Sequence, residues 1–413
     1  MSHACYVSIY LDHAATTPMR PSVIAAYTSA LGVVGNPSSI HSQGQQAKRM
    51  LEEAREQVAA SVGADSVEVT FTSGGTEAIN LAIKGLYWAR NAPASAGRVG
   101  GAAVVPSAGR VGGAAVVSRP RILVSRAEHH ATIDAVEWLA AHEGAVIDWV
   151  PVDSLGRVDL SYIEAALADD VAFVTVLWAN NEVGTIQPVH DIVELAAAHG
   201  VPVHCDAVSA YGHVPIDFHA SGLAALSISA HKVGGPVGIG ALVISRATTV
   251  TPLIHGGNQQ RARSGTQDAA GAVAFGVAAG LPLSTDPALR DHLIASVRAA
   301  VPSAILRGDP VDRLPNNAHF TFPGCEGDSL LFLLDVAGFS VSTGSACQAG
   351  VPEASHVLLA MGLSEAEARG ALRITLGPDT TVAELDAFVA ALPAAVEKAR
   401  TAGYSDRSPD LGR

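Results

Sequence analysis

The sequence lacks the long apolar runs, the basic excess and the N-terminal signal that mark several classes of protein. No apolar run reaches the roughly 18 to 20 residues of a membrane-spanning helix, and no basic segment followed by an apolar one, as in a secretory signal, opens the chain. The net charge of −13 argues against nucleic acid as the main partner. These absences predict a cytoplasmic protein whose partners are neither membranes nor nucleic acids.

Cysteines are few and scattered. The chain has four, Cys5, Cys205, Cys325 and Cys347, and none forms a CxxC pair. This spacing indicates neither a disulfide framework nor a zinc knuckle. Free thiols are therefore expected, which leaves one cysteine available for reactive chemistry.

The pattern of elements predicts two domains. Strands and helices alternate through the first part of the chain, which favours an α/β fold with a mainly parallel sheet, and a smaller α+β pattern follows. We predict a large domain over residues 15–263 and a small domain formed by residues 1–14 and 264–413. A tandem repeat at residues 95–118 has only two copies, too few for a solenoid, and is interpreted as an inserted surface loop.

The rest of the chain is organised around Lys232. The stretch LSISAHKVGGPVGIG places this lysine after a short strand and before a turn rich in glycine. An amine held among small residues at a strand end is poorly hydrated, which lowers its pKa and lets it form a Schiff base with a carbonyl. A lone lysine in a loop is more often a surface residue, so the interpretation depends on its neighbours.

Other polar residues follow predicted strands at the edge where parallel sheets bind their ligands. Asp206 ends the strand VPVHCD, and His129 follows another strand. Gly75 and Thr76 lie in a glycine turn between a strand and a helix, which offers N–H groups and a positive helix end to an anion. This turn has neither the lysine of a Walker loop nor the spacing of a dinucleotide fingerprint, which disfavours ATP and NAD.

These residues together meet the requirements of pyridoxal 5'-phosphate (PLP). The cofactor needs a lysine that forms an imine, a buried aspartate that keeps the pyridine nitrogen protonated, and a phosphate site. Lys232, Asp206 and the turn at Gly75 would supply these groups, and His129 could stack on the ring. Each residue also has a simpler interpretation, Asp206 or the turn as a helix cap and His129 as a loop histidine.

The sequence resembles the cysteine desulfurases of the NifS/IscS group, within the fold type I, class V aminotransferase superfamily. The resemblance covers nearly the whole chain outside the repeat and the last dozen residues. It rests on the motifs YLDHAATTP, GNPSSIH, FTSGGTEAINLAIKG, EHHA, WANNEVGT, HCDA, SAHK, RSGT, STGSAC and LRITLG. It implies the PLP-dependent transferase fold type I, with a large domain around a mainly parallel sheet and a smaller α+β domain.

The resemblance also implies a role for each matching residue. Lys232 would carry the cofactor and shuttle a proton, His129 would take part in acid–base steps, and Arg373 would grip the substrate carboxylate. Asn181, beside Asn180, would approach the ring hydroxyl and border the substrate. The implied cofactor-binding set is Gly75, Thr76, His129, Asn181, Asp206, Ser209, Ser229, His231, Lys232 and Thr266.

One residue of this set implies a partner subunit. Thr266, in RSGT, would reach the cofactor phosphate of a neighbouring chain, so the resemblance implies a homodimer with shared sites. Three features depart from the family pattern, and one is Gln348, which follows Cys347 where threonine or serine is frequent. Ser209 stands where the family usually has a glutamine that contacts the cofactor oxygen, and SAHK replaces the commoner SGHK. The shorter Ser209 side chain puts the electronics of the cofactor in question.

Cys347 decides the reaction. It lies in VSTGSACQAGVPEASHV, whose small residues predict an exposed, flexible segment. A thiolate there can take sulfur from the substrate as a persulfide if a positive charge or a histidine lowers the pKa of the thiol. The ordinary interpretation of an isolated cysteine is a buried apolar residue. The implied reaction converts L-cysteine to L-alanine and passes sulfur to an acceptor, either an iron–sulfur scaffold or another sulfur carrier.

Two alternatives stay open at this point. The first is a selenocysteine lyase or another PLP-dependent lyase or aminotransferase of class V. The second is a degenerate PLP fold that serves as a binding scaffold without activity.

Overall fold

The computed structural model describes residues 8–92, 98–99, 102–103, 117–281, 285–344 and 354–405. For residues 98–99, 102–103 and 402–405 it describes the backbone alone. Cys5, Cys347 and most of the repeat at residues 95–118 lie outside these ranges. Within them, no helix combines the length and the apolar character needed to cross a bilayer.

Helices occupy much of the described chain. They are α1 (Pro21–Leu31), α2 (Ser42–Ser61), α3 (Gly75–Arg90), α4 (His130–Glu143), α5 (Leu160–Ala166), α6 (Val189–Ala198), α7 (Phe218–Ser221), α8 (Ala269–Ala279), α9 (Pro287–Ala300), α10 (Gly327–Val336), α11 (His356–Ala360), α12 (Glu365–Arg369) and α13 (Val382–Ser405). Their starts follow local chemistry, since Asp159, Asp268, Asp286 and Ser364 each accept a hydrogen bond from the first turn of the helix that they cap.

The strands are short. They are β1 (Ile9–Tyr10), β2 (Val69–Thr72), β3 (Arg98–Val99), β4 (Ala102–Ala103), β5 (Arg121–Ser125), β6 (Val146–Val150), β7 (Val171–Leu177), β8 (Val203–Asp206), β9 (Ala225–Ser229), β10 (Gly240–Ile244), β11 (Ile305–Arg307), β12 (Asn317–Thr321), β13 (Phe339–Ser340) and β14 (Ala371–Thr375).

The main sheet has seven strands in the order β2-β10-β9-β8-β7-β5-β6. Strands β6, β5, β7, β8 and β9 run parallel, and β10 is antiparallel to both of its neighbours. Every residue of β7, VAFVTVL, is buried, as expected for a central strand covered by helices on both faces. The predicted α/β fold with a mainly parallel sheet is confirmed, and the carboxyl ends of β5, β7, β8 and β9 meet at one edge.

A second core forms around the antiparallel sheet β11-β12-β14. It contains apolar side chains of α9, α10 and α13 and also Leu11 from the N-terminal segment. Leu11 reaches it because β1 pairs with β13 in parallel, and Thr375 donates its backbone N–H to the carbonyl of Leu11 at 2.8 Å. The N-terminal segment is thus fixed between the two cores.

Helix α8 belongs to the larger core by its packing. Ala272 and Phe275 are buried together with residues of α1 and α2, although the sequence-based division put everything from residue 264 onward into the small domain. The helix is short and made almost wholly of small apolar residues, so its sequence does not indicate which core it joins. The domain boundaries themselves stay a prediction.

Phe275 offers a test of this packing. Its fully buried ring lies 6.4 Å from that of Phe71 and 6.2 Å from that of Tyr211, centroid to centroid. Because Phe275→Ala leaves a cavity, we expect the free energy of unfolding to fall by about 3–5 kcal/mol, measured by urea denaturation. Phe332→Ala, at a ring 67% exposed, should change it by less than about 0.5 kcal/mol. Equal effects of the two substitutions would contradict the assignment of α8 to this core.

Candidate active site

A cavity of about 440 Å³ opens at the carboxyl edge of the main sheet. Most of the residues singled out in the sequence line it, namely Gly75, Thr76, His129, Asn181, Asp206, Ser209, His231, Lys232 and Arg373. Ser229 is fully buried beside Gly75. The fold therefore brings residues that are up to 298 positions apart in the sequence, from Gly75 to Arg373, into one site.

Lys232 lies in a short 3-10 helix directly after β9, at the carboxyl edge of the main sheet. Its Nζ donates hydrogen bonds to the carbonyl oxygens of Ala14 and Ala15, the second at 3.0 Å. Burial of the amine and the positive charge of Arg373 lower the pKa of Lys232 to about 8. A substantial fraction of the amine is therefore unprotonated near neutral pH and able to attack a carbonyl.

The turn before α3 forms an open anion cradle. Its N-cap residue Gly74 has φ of 149°, and no side chain caps the helix. A Cβ at Gly75 would lie 2.8 Å from Cγ2 of Val208, so only glycine lets the cradle approach the segment after β8 this closely. The Oγ of Ser229 is buried and has no hydrogen-bond partner among the described residues. A phosphate here would satisfy both the free N–H groups and this hydroxyl.

Asp206 ends β8 at the floor of the cavity and is 2% exposed. Its Oδ1 accepts a hydrogen bond from the backbone N–H of Val208 at 2.9 Å. Burial raises the pKa of Asp206 to about 6. A cationic partner in the cavity, such as a protonated pyridine nitrogen, would favour the carboxylate form.

His129 is the N-cap of α4 and stands exposed at the cavity mouth. Its Nδ1 accepts a hydrogen bond from the N–H of Ala131 at 3.0 Å, which leaves the proton on Nε2 in the neutral ring. Desolvation by the surrounding protein and the nearby charge of Lys232 lower the pKa of His129 to about 4. A neutral imidazole with a fixed tautomer can stack on an aromatic ring and donate through Nε2.

Two neighbouring asparagines differ in what their side chains do. Asn180 is buried, with its Oδ1 accepting from Glu182 and Val183 and its Nδ2 donating to Ala127. The Oδ1 of Asn181 is buried and has no partner among the described residues. Asn180 is thus a structural residue, and Asn181 offers an unused polar atom to a ligand.

Arg373 projects from β14 and is only 5% exposed. It donates to the carbonyl oxygen of Asn181 at 2.9 Å and to Oδ1 of Asp12 at 2.8 Å. A planar guanidinium held on two sides and facing a cavity is suited to bind a carboxylate. The sequence motif YLDHAATTP contains Asp12, but the sequence analysis gave Asp12 no role.

His231 and Ser209 complete the lining. The Nδ1 of His231 lies 3.3 Å from Oγ1 of Thr16, and burial lowers the pKa of His231 to about 4, so this ring is neutral at physiological pH. Ser209 borders the cavity next to Lys232.

Among the described residues, Ser229 and Thr266 are the predicted site residues that do not line this cavity. Thr266 is exposed and absent from the lining of its own chain. Cys347 lies outside the described residues, although Gly344, three positions before it, lines the cavity. Glu182 and His356 also line it and were not singled out from the sequence, since each lies inside a motif that was quoted for other residues.

The cavity fits PLP by its own chemistry. It joins an amine of lowered pKa, a buried carboxyl and an anion cradle. The unpartnered Oγ of Ser229 and Oδ1 of Asn181 are polar atoms that a phosphate and a ring hydroxyl would satisfy.

Comparison with known proteins agrees with this chemistry. The model of the class-V aminotransferase family matches residues 9–96 and 103–388. An IscS-like cysteine desulfurase of Mycobacterium tuberculosis is 48% identical over 408 residues, covering 96% of this chain and 98% of the relative.

Solved structures share the fold. A NifS-like protein superposes with a TM-score of 0.82 at 31% identity, covering 95% of this chain and all of that one. SspA in complex with cysteine superposes with a TM-score of 0.76 at 30% identity, covering 91% of this chain and all of that one.

The lowered pKa of Lys232 predicts a pH profile. Only the unprotonated amine attacks an aldehyde, so the initial rate of imine formation with the apoprotein should rise about tenfold per pH unit below 8 and level off above it. Trapping with borohydride after short exposure to pyridoxal phosphate, followed by peptide mass spectrometry, measures this rate at Lys232. The substitution Lys232→Arg should remove the labelled peptide. A rate that still climbs steeply at pH 10 would contradict a desolvated amine.

Proposed function

Because the chain belongs to the class-V aminotransferase family and is a PLP-dependent cysteine desulfurase, we propose that the cavity around Lys232 removes sulfur from L-cysteine and that Cys347 receives it. The observation that carries this proposal is the placement of Lys232, Asp206 and Arg373 around one cavity. Lys232 would face the aldehyde carbon of the cofactor, Asp206 its ring nitrogen, and Arg373 the carboxylate of the amino acid.

The residues would hold the cofactor at three points. The cradle at Gly75 and Thr76, with Ser229 and His231, would bind the phosphate. Asp206 would pair with the ring nitrogen, and Asn181 would face the ring hydroxyl. When bound, the pyridoxal ring supplies an electron sink that allows the α-proton of an attached amino acid to be removed.

Lys232 is the proposed proton carrier. Its pKa of about 8 lets it exist both as amine and as ammonium near neutral pH. The carbonyl oxygens of Ala14 and Ala15 accept its N–H groups at the cavity wall. An amine held there can take the α-proton of the substrate and return it to carbon later.

Arg373 is the proposed anchor for the substrate carboxylate. With that carboxylate held at Arg373 and the amino group near Lys232, the thiol of the substrate must point to the remaining wall. Gly344 is part of that wall. Three residues of extended chain span at most about 11 Å, so chain connectivity keeps Cys347 within about that distance of Gly344 at the cavity wall.

The proposed step moves one sulfur atom from the substrate to Cys347. The thiolate of Cys347 attacks the substrate sulfur, the carbon–sulfur bond breaks with its electron pair going to carbon, and a proton gives alanine. The sulfur remains on Cys347 as a persulfide. An acceptor thiol then takes it, and an iron–sulfur scaffold or another sulfur carrier in the cytoplasm is the proposed acceptor.

We also propose that the active unit is a homodimer in which Thr266 reaches the partner's site. Thr266 is exposed in its own chain, as that role requires. Large apolar side chains are exposed in and after α1, with Leu31 at 63% and Ile40 at 93%. Val237 is 73% exposed in the turn that follows Lys232. The N–H of Arg20, just before α1, donates a hydrogen bond to the carbonyl of Gly234 in this turn. Such exposed apolar residues on adjoining segments support a protein contact there.

Substitution of Cys347 tests the sulfur carrier. In Cys347→Ser we expect sulfide release from L-cysteine to fall at least about 100-fold, because a hydroxyl cannot take up sulfur as a thiolate does. The yellow colour of the bound cofactor should persist. Sulfide and alanine are measured together, and Cys325→Ala, at a buried thiol outside the cavity, is the control. Sulfide release that survives in Cys347→Ser would contradict the role of this cysteine.

Thr266 provides a separate test of the shared site. In Thr266→Val we expect the affinity for the cofactor to fall about 10- to 100-fold, because a hydrogen bond to the charged phosphate is lost. Fluorescence titration of the apoprotein measures this affinity. The exposed Thr249, replaced by valine, is the matched control. Analytical ultracentrifugation should give twice the mass of one chain. A monomer with unchanged cofactor affinity in Thr266→Val would contradict the proposed dimer.

A further inference from the structure

The motif YLDHAATTP lines the active site and also pairs with strand β14. We define the strap as residues 11–17. Its Ala14 and Ala15 carbonyls accept the Lys232 amine, and its Thr17 N–H donates to the carbonyl of His231 at 2.9 Å. Its one acidic residue, Asp12, binds Arg373. The strap therefore contacts both the amine and the guanidinium of the site.

We propose that Asp12 is a positioning residue that holds the guanidinium of Arg373 in the orientation that receives the substrate carboxylate. This inference rests on the proposed function of Arg373. It assigns to Asp12 a part in binding amino acids through their carboxylate, and none in binding amines that lack one.

The geometry of Arg373 supports this role. Its NH2 donates to Oδ1 of Asp12 at 2.8 Å and its NH1 to the carbonyl of Asn181 at 2.9 Å. Its Nε has no partner among the described residues. Asp12 is thus the one described side chain that holds the guanidinium, since the other contact is to backbone.

Asp12 does not compete with a ligand for the cavity face of Arg373. Arg373 and Asn181 line the cavity, whereas Asp12 is absent from the lining among the described residues. Asp12 and the Asn181 carbonyl use two of the five N–H groups of the guanidinium, so the others remain for a ligand. An arginine fixed in this way loses less freedom when it binds a second carboxylate.

The backbone fixes Asp12 itself. Asp12 forms a parallel bridge with Thr375, two residues beyond Arg373 on β14. The hydroxyl of Thr375 accepts the N–H of Ala14 at 2.9 Å. Arg373 in turn donates its N–H to the carbonyl of Ser342 at 2.6 Å. Both partners of the ion pair are therefore held by the same strand, which makes a rigid support.

Asp12 also offsets the charge that Arg373 places near Lys232. The positive charge of Arg373 lowers the pKa of Lys232, and the negative charges of Asp12 and Asp206 raise it. Removal of the Asp12 charge should consequently lower the pKa of Lys232 below its present value of about 8. This gives a second observable that does not depend on turnover.

The experiment compares ligands with and without a carboxylate. The cofactor-loaded Cys347→Ser protein is titrated with L-cysteine, L-alanine and cysteamine, and binding is followed by the absorbance of the cofactor. In Asp12→Asn we expect L-cysteine and L-alanine to bind about 10-fold more weakly. Cysteamine has the amine and the thiol but no carboxylate, and its affinity should change less than about twofold.

Asp148 gives a matched control. It pairs with Arg121 between β6 and β5, outside the cavity lining, and its side chain is 21% exposed, against 20% for Asp12. Asp148→Asn should leave all three affinities unchanged. In an Arg373→Ala background, Asp12→Asn should add no further loss of amino acid affinity, because the group through which it acts is gone.

Each outcome decides for or against the role of Asp12. Equal weakening of cysteamine and amino acids, or unchanged amino acid affinity, would overturn the proposal. If Asp12→Asn unfolds, Asp12→Glu replaces it in the same titration, because it keeps the charge but displaces the carboxylate. A selective loss of amino acid affinity in Asp12→Glu then supports the proposal, and unchanged affinity overturns it.

Two further measurements separate this role from the desulfurase assignment. The pH profile of imine trapping at Lys232 in apoprotein should shift to lower pH in Asp12→Asn, and an unshifted profile would contradict the charge balance between Asp12 and Arg373. Sulfide release by the unsubstituted enzyme is measured separately, so failure of the desulfurase assignment is distinguishable from failure of the Asp12 role.

Discussion

The site depends on keeping one amine poorly hydrated. Lys232 lies where β9 ends, so the sheet carries it into a region enclosed by the strap and by the second core, and burial lowers its pKa to about 8. An amine in bulk water would be almost wholly protonated at neutral pH and would form an imine much more slowly. The strap, the segment after β8 and Thr375 of β14 all line the pocket beside this lysine. The N-terminal segment, which joins the two cores, is therefore part of the active site.

The parallel sheet explains why distant residues meet. Strands β5, β7, β8 and β9 run in one direction, so the segments that carry His129, Asn181, Asp206 and Lys232 leave the sheet at one edge. Periodicity and strand order in the sequence were enough to predict this meeting point. Asp206 and Lys232 were identifiable because each follows a short apolar strand, and the glycine turn at Gly75 because a strand and a helix flank it.

Other features could not be predicted from local pattern. The pairing of Asp12 with Arg373 joins residues 361 positions apart through a bridge between the strap and β14, and no periodicity reports such a contact. Helix α8 is apolar on every side, so nothing in its sequence selects a core. The role proposed for Thr266, which is exposed in its own chain, depends on a second chain, and no local pattern in one chain reports it. Arg373 itself was singled out only by resemblance, since an arginine in a strand has no distinctive sequence signal.

The charges of the cavity suit an anionic cofactor and a zwitterionic substrate in different ways. Desolvation by the surrounding protein and the nearby charge of Lys232 lower the pKa values of His129 and His231 to about 4, so both rings are neutral at physiological pH. The proposed phosphate end of the cavity is thus built from dipoles, the α3 terminus and hydroxyls, whose strength does not change between pH 5 and 8. The proposed substrate end is built from a full charge at Arg373, balanced by Asp12. Titration near pH 8 therefore falls on Lys232, the proposed proton carrier.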